Sequence, residues 1–143
     1  MDIRIKRIDT SLPLPEYKTD GSVAFDIYAR EDAVVEAQSL GRIPTNLIIA
    51  TPPGYGLVLS ARSSLASKKG LWLANGIGVI DQDYAGDGDE ILLSVYNFST
   101  TQVSVERGER IAQGMFVRID TASWIEVEQM DKKSRGGFGS TGK

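Results

Sequence analysis

Cysteine and histidine are both absent from the 143 residues. Without cysteine there is no disulfide framework, no thiolate nucleophile and no thiolate metal site. Without histidine the chain lacks the usual general base, the commonest metal ligand and the usual triad member. Acid–base chemistry must therefore fall to carboxylates, lysines or tyrosines. Long apolar runs are missing as well: none approaches the ~20 residues of a membrane span. The N-terminal Met1-Asp2-Ile3-Arg4-Ile5-Lys6 alternates apolar and charged residues, which is not a signal-peptide pattern. The expectation is a soluble, cytoplasmic protein with no membrane partner, or a nuclear one in a eukaryote.

An excess of positive charge is also lacking. The net charge is −3, which argues against a nucleic-acid partner. The distribution is uneven: Lys132, Lys133, Arg135 and Lys143 face only Asp131 within 131–143, so a basic end follows an acidic body. Hydrophobic residues at 41% and charged residues at 24% fit one globular domain with its own core. Residues 1–130 read as that domain. Residues 131–143 read as a flexible, Gly-rich tail belonging to it.

Strand signals dominate what is present. Short β-branched or aromatic runs occur at Ile3 to Ile8, Ala24 to Ala29, Leu47 to Ala50, Leu57 to Leu59, Ile91 to Tyr96, Val103 to Val105, Met115 to Ile119 and Ile125 to Val127. Turn residues separate them at Pro52-Pro53-Gly54, Gly86-Asp87-Gly88-Asp89 and Arg107-Gly108-Glu109. Many short strands with few helical windows predict an all-β sandwich or barrel. One short helix is expected over Ser63 to Gly70, capped by serine and stopped by glycine.

Five segments carry chemistry. Asn75 to Gly86 runs from two glycines through Val79-Ile80 to a strand-end carboxylate, Asp81, with Tyr84 three residues on. That order suits a pocket wall with a base able to take a proton from water; by itself it equally fits a buried strand ending in a polar turn. Ala61-Arg62-Ser63-Ser64 puts a guanidinium and two hydroxyls at a helix start, which suits phosphate oxygens or a simply capped helix. Gly108-Glu109-Arg110-Ile111-Ala112-Gln113 is a turn leading into a strand, with Gln113 as a neutral donor. Val23 to Ala29 is a strand carrying one interior carboxylate, Asp26, which suits a Mg²⁺ held mainly by phosphates and water, a strand-edge charge, or an arginine partner. Gly136 to Gly142 sets Phe138 among glycines, followed by Ser140 and Thr141. Such a tail can fold onto a base and phosphates or stay unstructured.

In this order the five segments resemble the five motifs of the trimeric dUTPase family, over nearly the whole chain. The resemblance implies an all-β, distorted jelly-roll barrel with one short helix. It implies a homotrimer with active sites at subunit interfaces and a C-terminal tail exchanged onto a neighbour. It implies Mg²⁺-assisted hydrolysis of dUTP to dUMP and pyrophosphate, which lowers dUTP and supplies dUMP for thymidylate synthesis.

The roles implied are specific. Asp81 activates the water that attacks the α-phosphorus. Asn75, Gly78 and Ile80 border the uracil in a narrow hairpin, Tyr84 packs under the deoxyribose, and Phe138 covers the base. Arg62, Ser63, Ser64 and Gln113 hold the phosphate chain, with Ser140, Thr141 and either Lys133 or Arg135 at its far end. Asp26 reaches Mg²⁺ through water.

Three features depart from the family pattern: Ala85 stands where a basic or amide residue is usual, Asp87-Gly88-Asp89 lengthens the following turn, and Arg135 is closer to Phe138 than usual. Lys133 occupies the usual position of that arginine. Two rival readings are a dCTP deaminase on a related fold and a trimer that binds nucleotide without hydrolysis. The first lacks its base-directed glutamate here, and Asp81 argues against the second.

Overall fold

The structure, a computed structural model, describes residues 1–137. Among them the chain forms eleven strands and one short helix. The strands are β1 (Ile5–Arg7), β2 (Phe25–Tyr28), β3 (Ala33–Val35), β4 (Leu40–Pro44), β5 (Leu47–Ile49), β6 (Tyr55–Ala61), β7 (Leu71–Leu73), β8 (Gly78–Ile80), β9 (Leu92–Asn97), β10 (Val103–Val105) and β11 (Arg110–Arg118). The helix α1 (Leu65–Lys69) lies between β6 and β7.

All ladders are antiparallel and join strands far apart in the chain. The largest sheet runs β2-β11-β6-β8, a second runs β4-β9-β7, and two-stranded pairs β1-β5 and β10-β3 complete the set. Alternation explains the burial. Strand β9 buries Leu93, Val95 and Asn97 and turns Leu92, Ser94 and Tyr96 outward. The core gathers Ile27, Ile43, Leu57, Leu59, Val95 and Ile111 from four-stranded and three-stranded sheets alike. Asn97, fully buried among them, is satisfied: its amide donates to the carbonyls of Val35, Glu36 and Thr101, and its Oδ1 accepts from Ser99.

The helix starts at Leu65, later than expected; Ser64 holds the N-cap position without a side-chain capping bond. Gly70 ends it in the left-handed conformation, φ 66°. One expected strand does not form: among the described residues Ile125 to Val127 joins no ladder, and Trp124 and Ile125 stand 92% and 86% exposed. The local pattern is strand-like, but a strand also needs a neighbouring edge to pair with. No helix among the described residues is long and apolar enough to cross a membrane.

A charged tie fastens the N-terminal segment. Asp9 accepts from the Ser11 hydroxyl (2.6 Å), from the Ser11 amide (2.8 Å) and from Arg107 (2.6 Å). The Ser11 hydroxyl and the Arg107 guanidinium hold the carboxyl of Asp9 well below the usual carboxylate range. A lowered folded-state pKa gives stability that is present above the ordinary Asp value near ~3.9 and is lost as pH falls below it. Thermal melts of Asp9→Asn should therefore fall less steeply than wild type as the pH is taken from neutral to the acid range; parallel acid limbs would contradict this.

Packing at β11 gives a second test. A Cβ on Gly114 would stand 2.7 Å from Phe25 Cζ and 2.8 Å from its Cε2. Gly114→Ala should cost about 1–3 kcal/mol through overpacking, read as a lowered denaturation midpoint; an unchanged midpoint would show that the Phe25 ring can move aside.

Candidate functional site

Two clefts hold part of the described residues singled out above: Asp26, Arg62, Ser63 and Gln113 in one, Ile80 and Asp81 in the other. The first opens where β2, the end of β6 and the start of β11 meet. It has a volume of about 320 Å³ and is lined by Lys18, Ser22, Asp26, Arg62, Ser63, Arg110 and Gln113, with Ala24. Its centre is Asp26, only 8% exposed. Arg62 Nε forms an ion pair with Asp26 Oδ1 at 3.0 Å, and Arg110 Nη1 donates to Asp26 Oδ2 at 3.0 Å. Gln113 stands directly opposite Asp26 in the β11–β2 ladder and opposite Ser60 in the β11–β6 ladder. Two guanidinium groups against one carboxylate leave an excess of positive charge. Hydroxyl and amide donors surround it, so the cleft suits an anion with several oxygens. Ser64 borders a neighbouring cleft with Lys68 and Lys69, which shares Arg62 and Arg110.

Arg110 is the functional candidate that sequence reading missed. In an unbroken strand, residues 110 and 112 point to the same side, and Ala112 is fully buried in the core. The β11–β2 register shifts between Arg110 and Ala112: Ala112 pairs with Ile27 and Arg110 with Tyr28. This β-bulge lets Ile111 and Ala112 both face the core and turns Arg110 to the side of Asp26. Bulges re-aim side chains in this way. The adjacent Ile111-Ala112 pair is the one sequence signal that could have found it.

The second cleft, about 560 Å³, is lined by Tyr55, Gly56, Val79, Ile80, Asp81, Gln82, Asp83, Ile119 and Thr121. Asp81 follows β8 and is exposed. Gln82 Nε2 donates to the Tyr55 carbonyl at 3.0 Å, fastening the segment to β6. Tyr84 is also exposed, and its hydroxyl donates to the Glu90 carbonyl at 3.1 Å.

Asn75 lies in the exposed turn between β7 and β8. That segment is not a paired hairpin: β7 pairs with β9, β8 pairs with β6, and the turn passes from one sheet to the other. Its glycines have reasons within the chain. Gly76 takes φ 74°, a left-handed value that disfavours side chains, and a Cβ on Gly78 would meet Leu59 Cβ at 3.1 Å.

One chain does not unite the two clefts. Ile80 lies opposite Leu57 on β6, while Arg62 follows the far end of that strand. At ~3.3 Å per residue the separation is on the order of 15 Å. Lys133 and Arg135 are exposed in the C-terminal segment. Phe138, Ser140 and Thr141 lie outside the described residues. The lengthened turn is fastened to its own chain: Asp87 pairs with Lys6 at 2.9 Å, and Asp89 accepts from the Gly86 amide at 2.7 Å. Lys6 also lowers the Asp87 pKa.

Comparison with known proteins agrees with this architecture. The family model described as dUTPase matches residues 10–142. The chain is 38% identical to a deoxyuridine 5'-triphosphate nucleotidohydrolase of Helicobacter pylori, covering 99% of this chain and 97% of the relative. It is 42% identical to the one from Dictyoglomus turgidum, covering 98% and 97% respectively. The crystal structure of the Streptococcus mutans dUTPase superposes with a TM-score of 0.77 at 30% identity, over 84% of this chain and 98% of that one. A Staphylococcus bacteriophage 80alpha dUTPase with dUPNHPP superposes with a TM-score of 0.87 at 26% identity, over 99% and 98%. A family match spanning most of the sequence, joined to near-full-length relatives, settles the assignment: the chain is an enzyme of the dUTPase family.

Proposed function

We propose that this protein hydrolyses dUTP to dUMP and pyrophosphate in sites shared between the copies of a homotrimer, with its C-terminal tail laid onto a neighbour. The observation that carries the sharing is the separation of Asp81 from the Asp26–Arg62–Gln113 cleft along β6. A carboxylate base on one copy and a phosphate cradle on another make one site. The exposure of Trp124, Ile125 and Met130 in the C-terminal segment supports a tail whose partner is another copy.

The chemistry follows from the groups present. Asp81 accepts a proton from water as the oxygen forms its bond to the α-phosphorus. The bond from that phosphorus to the bridging oxygen breaks, and pyrophosphate leaves with the electron pair. Arg62, Ser63, Ser64 and Gln113 hold the phosphate chain and offset its charge, which is the main catalytic need in phosphoryl chemistry. Asn75, Gly78 and Ile80 border the uracil, and Tyr84 packs under the sugar where a 2′-hydroxyl would otherwise sit. Lys133 or Arg135 meets the terminal phosphate with Ser140 and Thr141, and Phe138 covers the base.

Mg²⁺ belongs to this reading as cofactor, and the residues fit it in an outer-sphere manner. No group of three or more acidic, His or Cys side chains among the described residues could hold an ion by itself. Asp26 Oδ1 pairs with Arg62 and Oδ2 accepts from Arg110, and both oxygens keep lone-pair capacity for a metal-bound water. Phosphate oxygens and water supply most ligands in such sites, and the ion neutralises the phosphate chain.

The direct test is pyrophosphate release from dUTP, the four dNTPs and UTP, with and without Mg²⁺. Asp81→Asn should keep dUTP binding and lose about 10²–10⁴-fold in kcat, the usual worth of a general base; near-normal kcat would refute the role. Tyr84→Ala should raise kcat/KM for UTP relative to dUTP, and an unchanged ratio would count against the sugar contact.

A further inference from the structure

We infer that Arg110 is a phosphate-cleft residue, acting with Asp26 to aim the Arg62 guanidinium and to supply a second cation to a polyphosphate chain. The inference rests on the dUTP reading for the identity of its ligand. Its structural basis is independent of that reading.

Asp26 is buried, yet each of its oxygens meets a different guanidinium at 3.0 Å. One arginine would suffice to neutralise a buried carboxylate, and a bidentate pair would do so with better geometry. The arrangement observed is different. Arg62 approaches Asp26 through Nε, and Arg110 donates to it through Nη1. Arg62 Nη1 donates to the Arg110 backbone carbonyl at 3.5 Å, and the other guanidinium nitrogens border the cleft that both residues line. The Arg62 and Arg110 side chains are partly open to solvent while Asp26 is closed off. The carboxylate is thus an anchor beneath two cationic heads. The bulge that breaks the β11–β2 register is what brings Arg110 to this side, at the cost of one ladder position.

A consequence follows for Arg62. With Arg110 gone, both Asp26 oxygens face a single guanidinium. Arg62 can then close into a bidentate pair and withdraw its terminal nitrogens from the cleft. Losing Arg110 should therefore remove more than one cation's worth of anion binding. Lysine at 110 keeps the charge and a single contact to Asp26 but not the planar fork, so it should recover only part.

Inorganic tripolyphosphate is the probe, titrated without Mg²⁺ by calorimetry into wild type, Arg110→Gln and Arg110→Lys. Arg110→Gln should weaken tripolyphosphate binding by roughly 10-fold to 100-fold, the range for charge-assisted hydrogen bonds. It should also raise KM for dUTP with little change in the dUTP to UTP preference. Arg110→Lys should fall between the two. Folded Arg110→Gln that binds tripolyphosphate as wild type would overturn the inference and leave Arg110 a purely structural partner of Asp26. If Arg110→Gln does not fold, Arg110→Lys decides: weaker tripolyphosphate binding at an unchanged melting temperature supports the role, and unchanged binding overturns it. Wild type that binds tripolyphosphate yet leaves dUTP intact would sink the hydrolysis reading while leaving this one standing.

Discussion

A buried carboxylate needs compensation, and the way Asp26 obtains it organises the whole cleft. An isolated charge out of water costs several kcal/mol or more. Here β2 supplies the carboxylate, the end of β6 supplies Arg62 and the bulged start of β11 supplies Arg110. Three strands adjacent in one sheet are pinned at the point where an anion would bind. The sheet provides rigidity, and the two ion pairs set where the cationic heads stand. Gln113, opposite Asp26 in register, then falls on the same side without further adjustment.

The second constraint is length. Strand β6 runs between the two clefts, with the Asp81 segment fastened near Tyr55 and the arginine cradle beyond Ala61. A straight extended strand cannot be shortened to bring the two together. On the proposed reading, a nucleotide that needs both a base for water and a cradle for phosphates finds them on different copies. The same logic applies to the C-terminal segment, where Trp124, Ile125 and Met130 stand largely exposed among the described residues.

Much of the fold was legible because its signals are local. Short β-branched or aromatic runs mark β2, β5 and β10 with bounds within a residue or two, and Gly70 stops the helix in its left-handed conformation. Strands β3, β4 and β7 gave weaker signals. Strand β4 includes Gly41, Arg42 and Pro44 and is stabilised by its ladder to β9 more than by its own propensities. Ile125 to Val127 shows the converse, a strand-like pattern that joins no ladder among the described residues. In the first cleft, Asp26, Arg62, Ser63 and Gln113 converge as their chemistry suggested. Arg110 did not stand out because Gly108 to Gln113 reads only as a turn leading into a strand, and a bulge is a property of the pairing rather than of either strand alone. The arginine alternative for Asp26 was visible in advance; that two arginines would share it was not.

The proposed division of the site between copies is best tested by complementation. Asp81→Asn and Arg62→Gln subunits, each expected to be inactive alone, can be mixed under conditions that allow subunit exchange. Random assortment then gives roughly a quarter of the sites an intact Asp81 from one subunit type and an intact Arg62 from the other. The account predicts that pyrophosphate release from dUTP returns to about that fraction of the wild-type rate. No recovery in verified mixed assemblies would contradict it, because both groups would then have to come from the same chain.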